Sequence, residues 1–141
     1  MRNAIKIMIA LGILAVPSAA LAANTSQPEA VYNCNALKAK PGKIILSCGD
    51  AGTWLGKLKW SSWTKTQAVA TGNYTANNCT PSCVAGHTHS VAVKVTLSKP
   101  KLCAGQVNPV FKQAAFVYKG TRPKGAPLTY KFRCPSLPGA Y

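Results

Sequence analysis

The stretch from His89 to Leu97 constrains this chain more than any other. Val91, Val93, Val95 and Leu97 alternate there with Ser90, Ala92, Lys94 and Thr96. A helix advances about 100° per residue and would scatter those four apolar side chains around its girth, whereas a strand places them all on one face. The segment is therefore a strand with a dry side and a wet side, and it needs sheet neighbours to cover the dry one. Other segments supply candidates. Lys43 to Cys48 is a short apolar run rich in β-branched residues, and Ala68 to Ala76 is a weaker candidate that contains Gly72. Trp54 to Trp60 alternates, with Trp54, Leu58 and Trp60 on one face and Leu55, Lys57 and Lys59 on the other. Val110 to Lys119 is apolar on both faces, and Leu128 to Cys134 alternates again. Turn signals separate these runs at Gly49-Asp50-Ala51-Gly52, Asn77-Asn78, Lys99-Pro100-Lys101 and Thr121-Arg122-Pro123-Lys124-Gly125. No window past the N-terminal apolar run carries a helical stripe. The expected fold is all-β, a small antiparallel sandwich or partly closed barrel of about six or seven strands.

The N-terminus reads as an export signal. Arg2 and Lys6 precede an apolar run from Ile7 to Val16, Pro17 breaks it, and Ala20-Leu21-Ala22 offers small residues at a cleavage site before Ala23. The apolar run is about half of what a bilayer span requires. The expected organisation is a signal peptide at 1–22, an N-terminal lead-in at 23–42, and a single secreted β domain at 43–141. The processed chain does not span a membrane and is secreted or periplasmic.

Six cysteines, Cys34, Cys48, Cys79, Cys83, Cys103 and Cys134, lie past that signal. An even number in a small exported domain argues for three disulfides. Cys79-Thr80-Pro81-Ser82-Cys83 is a turn that suits a local bridge. Cys34 with Cys134 would tie the chain ends together, leaving Cys48 with Cys103.

Charge excludes whole classes of chemistry. The chain has 17 Lys and Arg against two acids, Glu29 and Asp50. Paired-carboxylate glycosidases, Mg²⁺-dependent nucleotidyl enzymes and Ca²⁺ loops all need more acidic groups than that. Two arrangements of other residues deserve weighing. Cys79, Cys83, His87 and His89 carry donors suited to Zn²⁺ or copper. The ordinary reading of an exported chain is a disulfide beside two loop histidines, which calls for no cofactor; if the thiols are bridged, His87 and His89 remain as a two-ligand metal alternative. His87, His89 and Asp50 also suggest a small cationic phosphodiesterase, with one histidine as base, the other as acid, and lysine steadying the developing charge. Against this, His89 shares the parity of Val91 and Val93 and is expected to turn toward the rim of the core.

The basic residues gain meaning from the strand alternation. Lys57 and Lys59 share the outward face of one strand, Lys94 points outward from the next clear one, and Lys131 and Arg133 from the last. If these strands share a sheet, its outer face is a cationic panel, with Lys99, Lys101, Lys119, Arg122 and Lys124 in turns at its edges. Lysine also blunts edge strands and keeps proteins soluble, but a mixed-sign surface would serve solubility equally well. Trp60 is expected in the core, and Trp63, beyond the strand end, is the candidate for stacking on a ligand. These residues point to a non-enzymatic binding or envelope-associated module. Its expected partners are an anionic envelope polymer, lipid head groups, nucleic acid or an acidic protein.

The stretch from Ile44 to Leu97 resembles a small secreted β domain of actinobacterial and some proteobacterial exported proteins. The residues that carry the likeness are Leu46-Ser47-Cys48-Gly49-Asp50, Leu58-Lys59-Trp60-Ser61-Ser62-Trp63, Gly72, Asn78-Cys79-Thr80-Pro81-Ser82-Cys83-Val84-Ala85-Gly86-His87, and Val95-Thr96-Leu97. The resemblance implies a secreted bacterial origin and a compact β fold, and it assigns neither an activity nor catalytic residues.

Overall fold

A computed structural model describes residues 30–135, so the segment 1–22 read as an export signal, the residues Ala23 to Glu29 and the last six residues lie outside it. Eight strands and no helix occur among the described residues: β1 (Val31–Asn33), β2 (Ala36–Lys38), β3 (Ile44–Ile45), β4 (Thr53–Trp63), β5 (Ala68–Asn77), β6 (Thr88–Lys101), β7 (Val110–Tyr118) and β8 (Thr129–Lys131). Strands β3 to β8 form one sheet in sequence order, every neighbour antiparallel, and β1 and β2 form a separate hairpin. A meander of this kind needs only local connections, and the signals at Gly49 to Gly52 and Thr121 to Gly125 supply two of them. The sheet curls into half a barrel, the partly closed form among those expected.

The core fills the inner side of the curl. Val93, Val95 and Leu97 of β6 are buried as their alternation requires, with Val91 packed at the core's edge. Cross-strand pairing explains how large side chains fit. Trp60 lies opposite Ala70, which lies opposite Val95 and then Phe116; Trp63 lies opposite Ala68, then Leu97 and Ala114. The two alanines of β5 leave room for the two indoles of β4, so a strand with weak apolar character is still fully used.

Strand β4 departs from simple alternation. Leu55 was expected outside, yet Leu55 and Leu58 are both buried. Three residues apart, they share a face only if the strand carries an extra residue, and the register slips between Gly56 and Lys59. Lys57 supplies it, with φ of 52°, a bulge that flips the parity of everything before it. Trp54 is thereby turned to the other side, where the Lys43 ammonium sits 4.7 Å from its ring centroid. Gly72 faces this bulge across the sheet. A Cβ there would meet the Gly56 carbonyl oxygen at 2.6 Å, so the position admits no side chain without movement. A second departure lies at Lys99-Pro100-Lys101. It is the end of β6 and not a turn: Pro100 pairs with Phe111 and Lys101 with Val110 in unbroken register, although Lys99 has a φ of 54°.

The half-barrel is closed by the first and last parts of the chain. The hairpin of β1 and β2 lies within the segment read as a lead-in, and Val31 is completely buried in the core. The Phe111 amide donates to the Ala30 carbonyl at 3.0 Å, and the Ile45 amide to Asn33 Oδ1 at 2.9 Å, which caps the free edge of β3. Across the remaining seam the Tyr130 hydroxyl donates to the Leu46 carbonyl at 2.7 Å.

Three disulfides reinforce this closure. Cys79 bonds Cys83, as expected. The other two pairings differ from the expectation: Cys34 bonds Cys48, and Cys103 bonds Cys134. The physical reason is local. The hairpin folds Cys34 back over the β3–β4 connection, 5.5 Å from Cys48 between Cα atoms, while the end of β8 delivers Cys134 to the β6–β7 loop, 5.6 Å from Cys103. These bridges close spans of 14 and 31 residues, each worth about 3 kcal/mol or somewhat more through restriction of the unfolded chain.

Candidate functional site

Cross-strand pairing decides which basic residues share a surface. Lys59 pairs with Thr71, Thr71 with Lys94, and Lys94 with Val117. Residues directly opposite one another project to the same side, so Lys59 and Lys94 stand on the outer face two strands apart, about 10 Å between backbones. Lys131 pairs with Gln113, which pairs with Ser98, four residues along β6 from Lys94 and hence on that same face. All three lysines are exposed. Between them lie Thr71, Thr96, Ser98 and Gln113, uncharged residues that neither neutralise the lysines nor lift them off the surface.

Three other candidates fall elsewhere. Lys57 is exposed but sits in the bulge. Arg133 lies past the end of β8 and lines a cleft of about 470 Å³ at the seam, with Tyr32, Cys34, Cys48 and Tyr130. Trp63 is half-buried. Its ring meets Trp60 edge-on with centroids 4.5 Å apart and Phe111 at 5.5 Å, so much of its surface is already taken up by the core. Trp60, also half-buried against the core, donates its indole N–H to the Pro41 carbonyl at 2.9 Å.

The electrostatics are one-sided. Asp50 is the sole acidic side chain among residues 30–135. Its carboxylate accepts the Gly52 amide at 2.9 Å; this bond and one with the Ser47 side chain hold its pKa below the usual carboxylate range. It therefore stays ionised and tied into its own turn. Near the seam, the Lys112 ammonium donates to Cys134 Sγ at 3.5 Å. Burial lowers its pKa, and the positive charge of Lys101 adds to the effect.

The histidines belong to one end of the half-barrel. Asn77 and Asn78, read from sequence as a turn, are the clamps of the disulfide loop that follows. Asn77 accepts the Cys79 amide at 2.8 Å and donates to the Cys83 carbonyl at 2.8 Å, while Asn78 Oδ1 accepts the His87 amide at 2.9 Å. The Asp50 turn reaches this end too, because the Asn77 amide donates to the Gly52 carbonyl at 2.9 Å. His87 and His89 are both exposed. His89 has the expected inward parity, paired with Ala76, but β7 has already ended at that level, and the ring is left open to solvent. With Cys79 and Cys83 bridged, their thiolates are not available to a metal. Among the described residues no group of three or more His, Cys, Asp and Glu side chains is placed to hold one. No helix among the described residues is long and apolar enough to cross a membrane.

The chain matches no protein-family model, no curated protein and no solved structure.

Proposed function

We propose that this chain is an exported, non-enzymatic binding or envelope-associated module that contacts anionic partners through the outer face of its sheet. The observation that carries the proposal is the cross-strand row of Lys59, Thr71 and Lys94, extended by Lys131 on the same face, in a described chain with a single acid. Cations held on one face of a sheet attract a polyanion without first having to be gathered, and the threonine and serine between them carry no charge that would oppose it. Arg133 and Lys57 extend the positive field to the edge and the bulge, and Trp63 supports the face from within.

Three disulfides in so small a domain favour an oxidising, extracytoplasmic setting. The signal-like segment at 1–22 and the likeness of Cys48-Gly49-Asp50, Trp60-Ser61-Ser62-Trp63 and Cys79 to His87 to a secreted bacterial domain support the same reading. The test is binding of the oxidised protein to phosphatidylglycerol vesicles, duplex DNA and polyglutamate at low and at physiological salt. Binding to at least one probe, weakening steeply as salt rises, is expected. Binding to none of them at low salt would overturn the proposal.

A further inference from the structure

Strand β6 outruns its neighbour. Val93 pairs with Tyr118 and the Lys119 amide reaches the Ala92 carbonyl at 2.8 Å, but from Thr88 to Val91 the strand pairs with β5 alone. Backbone groups two residues apart point the same way, so the amide and carbonyl of Ser90 face the gap that β7 leaves. The Ser90 hydroxyl is engaged on the outer side, 2.9 Å from Thr75 Oγ1. Opposite the gap, the β7–β8 loop is pinned in an arch. Arg122 donates to the Ala126 carbonyl at 3.2 Å, the Ala126 amide to the Pro123 carbonyl at 3.0 Å, and the Tyr118 hydroxyl to the Pro127 carbonyl at 2.7 Å.

Strand edge and arch border an open cavity of about 520 Å³ at the mouth of the half-barrel, within the size range of small-molecule sites. Its lining divides by chemistry. Ala76, Val91 and Pro123 are apolar, while His89, Thr121 and Lys124 bring an imidazole, a hydroxyl and an ammonium. The one described acid, Asp50, is bound up in its own turn.

We propose that this cavity binds a small phosphate monoester with an apolar body. The Ser90 amide on the strand edge, the His89 ring and the Lys124 ammonium of the arch supply three donors to the lining, a set that suits the three terminal oxygens of a phosphate better than the two of a carboxylate. Val91, Ala76 and Pro123 receive the apolar body. The site is separate from the lysines of the outer face and does not depend on their role.

Titration of the oxidised protein with phenyl phosphate, inorganic phosphate and phenol, followed by amide and imidazole NMR shifts, tests the assignment. Phenyl phosphate should bind about tenfold more tightly than either fragment, which is about 1.4 kcal/mol, and should shift the Ser90 amide and the His89 ring. Lys124→Ala, a change in an exposed loop, should weaken phenyl phosphate binding about tenfold, whereas Lys65→Ala, an equal charge change in the β4–β5 connection away from the cavity lining, should leave it within about twofold. Equal affinity for phenyl phosphate and inorganic phosphate, shifts confined to the outer-face lysines, or no shift at millimolar ligand would each overturn it.

Discussion

Thr96 and Leu97 are neighbours in β6 and face opposite ways, and they summarise two different kinds of surface. Leu97 is completely buried between Ala68 and Ala114, in a layer closed by Trp63 and Tyr130. Thr96 stands in the outer row between Val69 and Ala115, half-buried, two residues from the exposed Lys94. The inner face is specified by fit and holds the fold. The outer face is specified by charge and is free to be used. In a chain with almost no acids, the second cannot be a by-product of salt-bridge stabilisation, because it has no partners with which to form salt bridges.

The contrast predicts unequal costs for similar changes. Leu97→Ala should lower unfolding free energy by about 2–5 kcal/mol, the range for a buried leucine that leaves a cavity. Thr96→Ala, one residue away, should cost about 1 kcal/mol or less. Urea denaturation of the two variants measures this directly, and similar costs would dissolve the distinction between the faces.

A smaller effect separates two glycines. Gly72 lies where a Cβ would strike the Gly56 carbonyl and Leu58, so Gly72→Ala should destabilise by roughly 1–3 kcal/mol despite the better strand propensity of alanine. Gly42 has open space around its Cβ position and no positive φ, so Gly42→Ala should be neutral or stabilise by up to about 1 kcal/mol. Thermal melts of the pair decide the matter.

The inner face also shows in the alkaline titration. Burial, then the neighbouring Tyr74 hydroxyl, push the Tyr118 phenol up to about 12, against a smaller opposing effect of Arg122. Because the folded state holds this phenol neutral, its contribution to stability is complete below the ordinary tyrosine value near 10. It is lost as pH rises from there to about 12. Phenolate absorbance should show late-titrating tyrosines, Tyr74 being raised by burial as well, and Tyr118→Phe should remove the component near 12 and lose less stability than the parent over that window.

Much of this was legible in the sequence where alternation runs without interruption. His89 to Leu97 shows its inner face directly because no bulge disturbs it. Ala68 to Ala76 reads as weaker because its inner positions, Tyr74 apart, are alanines and Gly72, whose smallness serves the tryptophans and the bulge opposite. The faces of Trp54 and Leu55 were misread because a bulge at Lys57 leaves no sequence mark beyond the adjoining Gly56. His89 keeps its inward parity at the rim beside Ala76 and Val91, but its exposure was not legible: parity says which way a ring points, not where the next strand stops. Cysteine spacing found the local bridge and could not find the other two, since they depend on how the hairpin of β1 and β2 wraps back. The cationic panel was legible as a set of outward lysines, but its membership was not. Register keeps Lys59, Lys94 and Lys131 together and sends Arg133 to the seam.

The most direct test of that panel compares two variants with the same change in net charge. One carries Lys59→Glu, Lys94→Glu and Lys131→Glu, and the other carries Lys38→Glu, Lys40→Glu and Lys65→Glu, exposed residues outside the three paired positions. Both are titrated with phosphatidylglycerol vesicles at low salt, with folding checked by circular dichroism. The outer-face variant is predicted to lose at least about tenfold in affinity, or 1.4 kcal/mol, and most of its salt dependence, while the other loses about threefold or less. Equal losses would mean that net charge alone governs binding, and would contradict the assignment of the outer face.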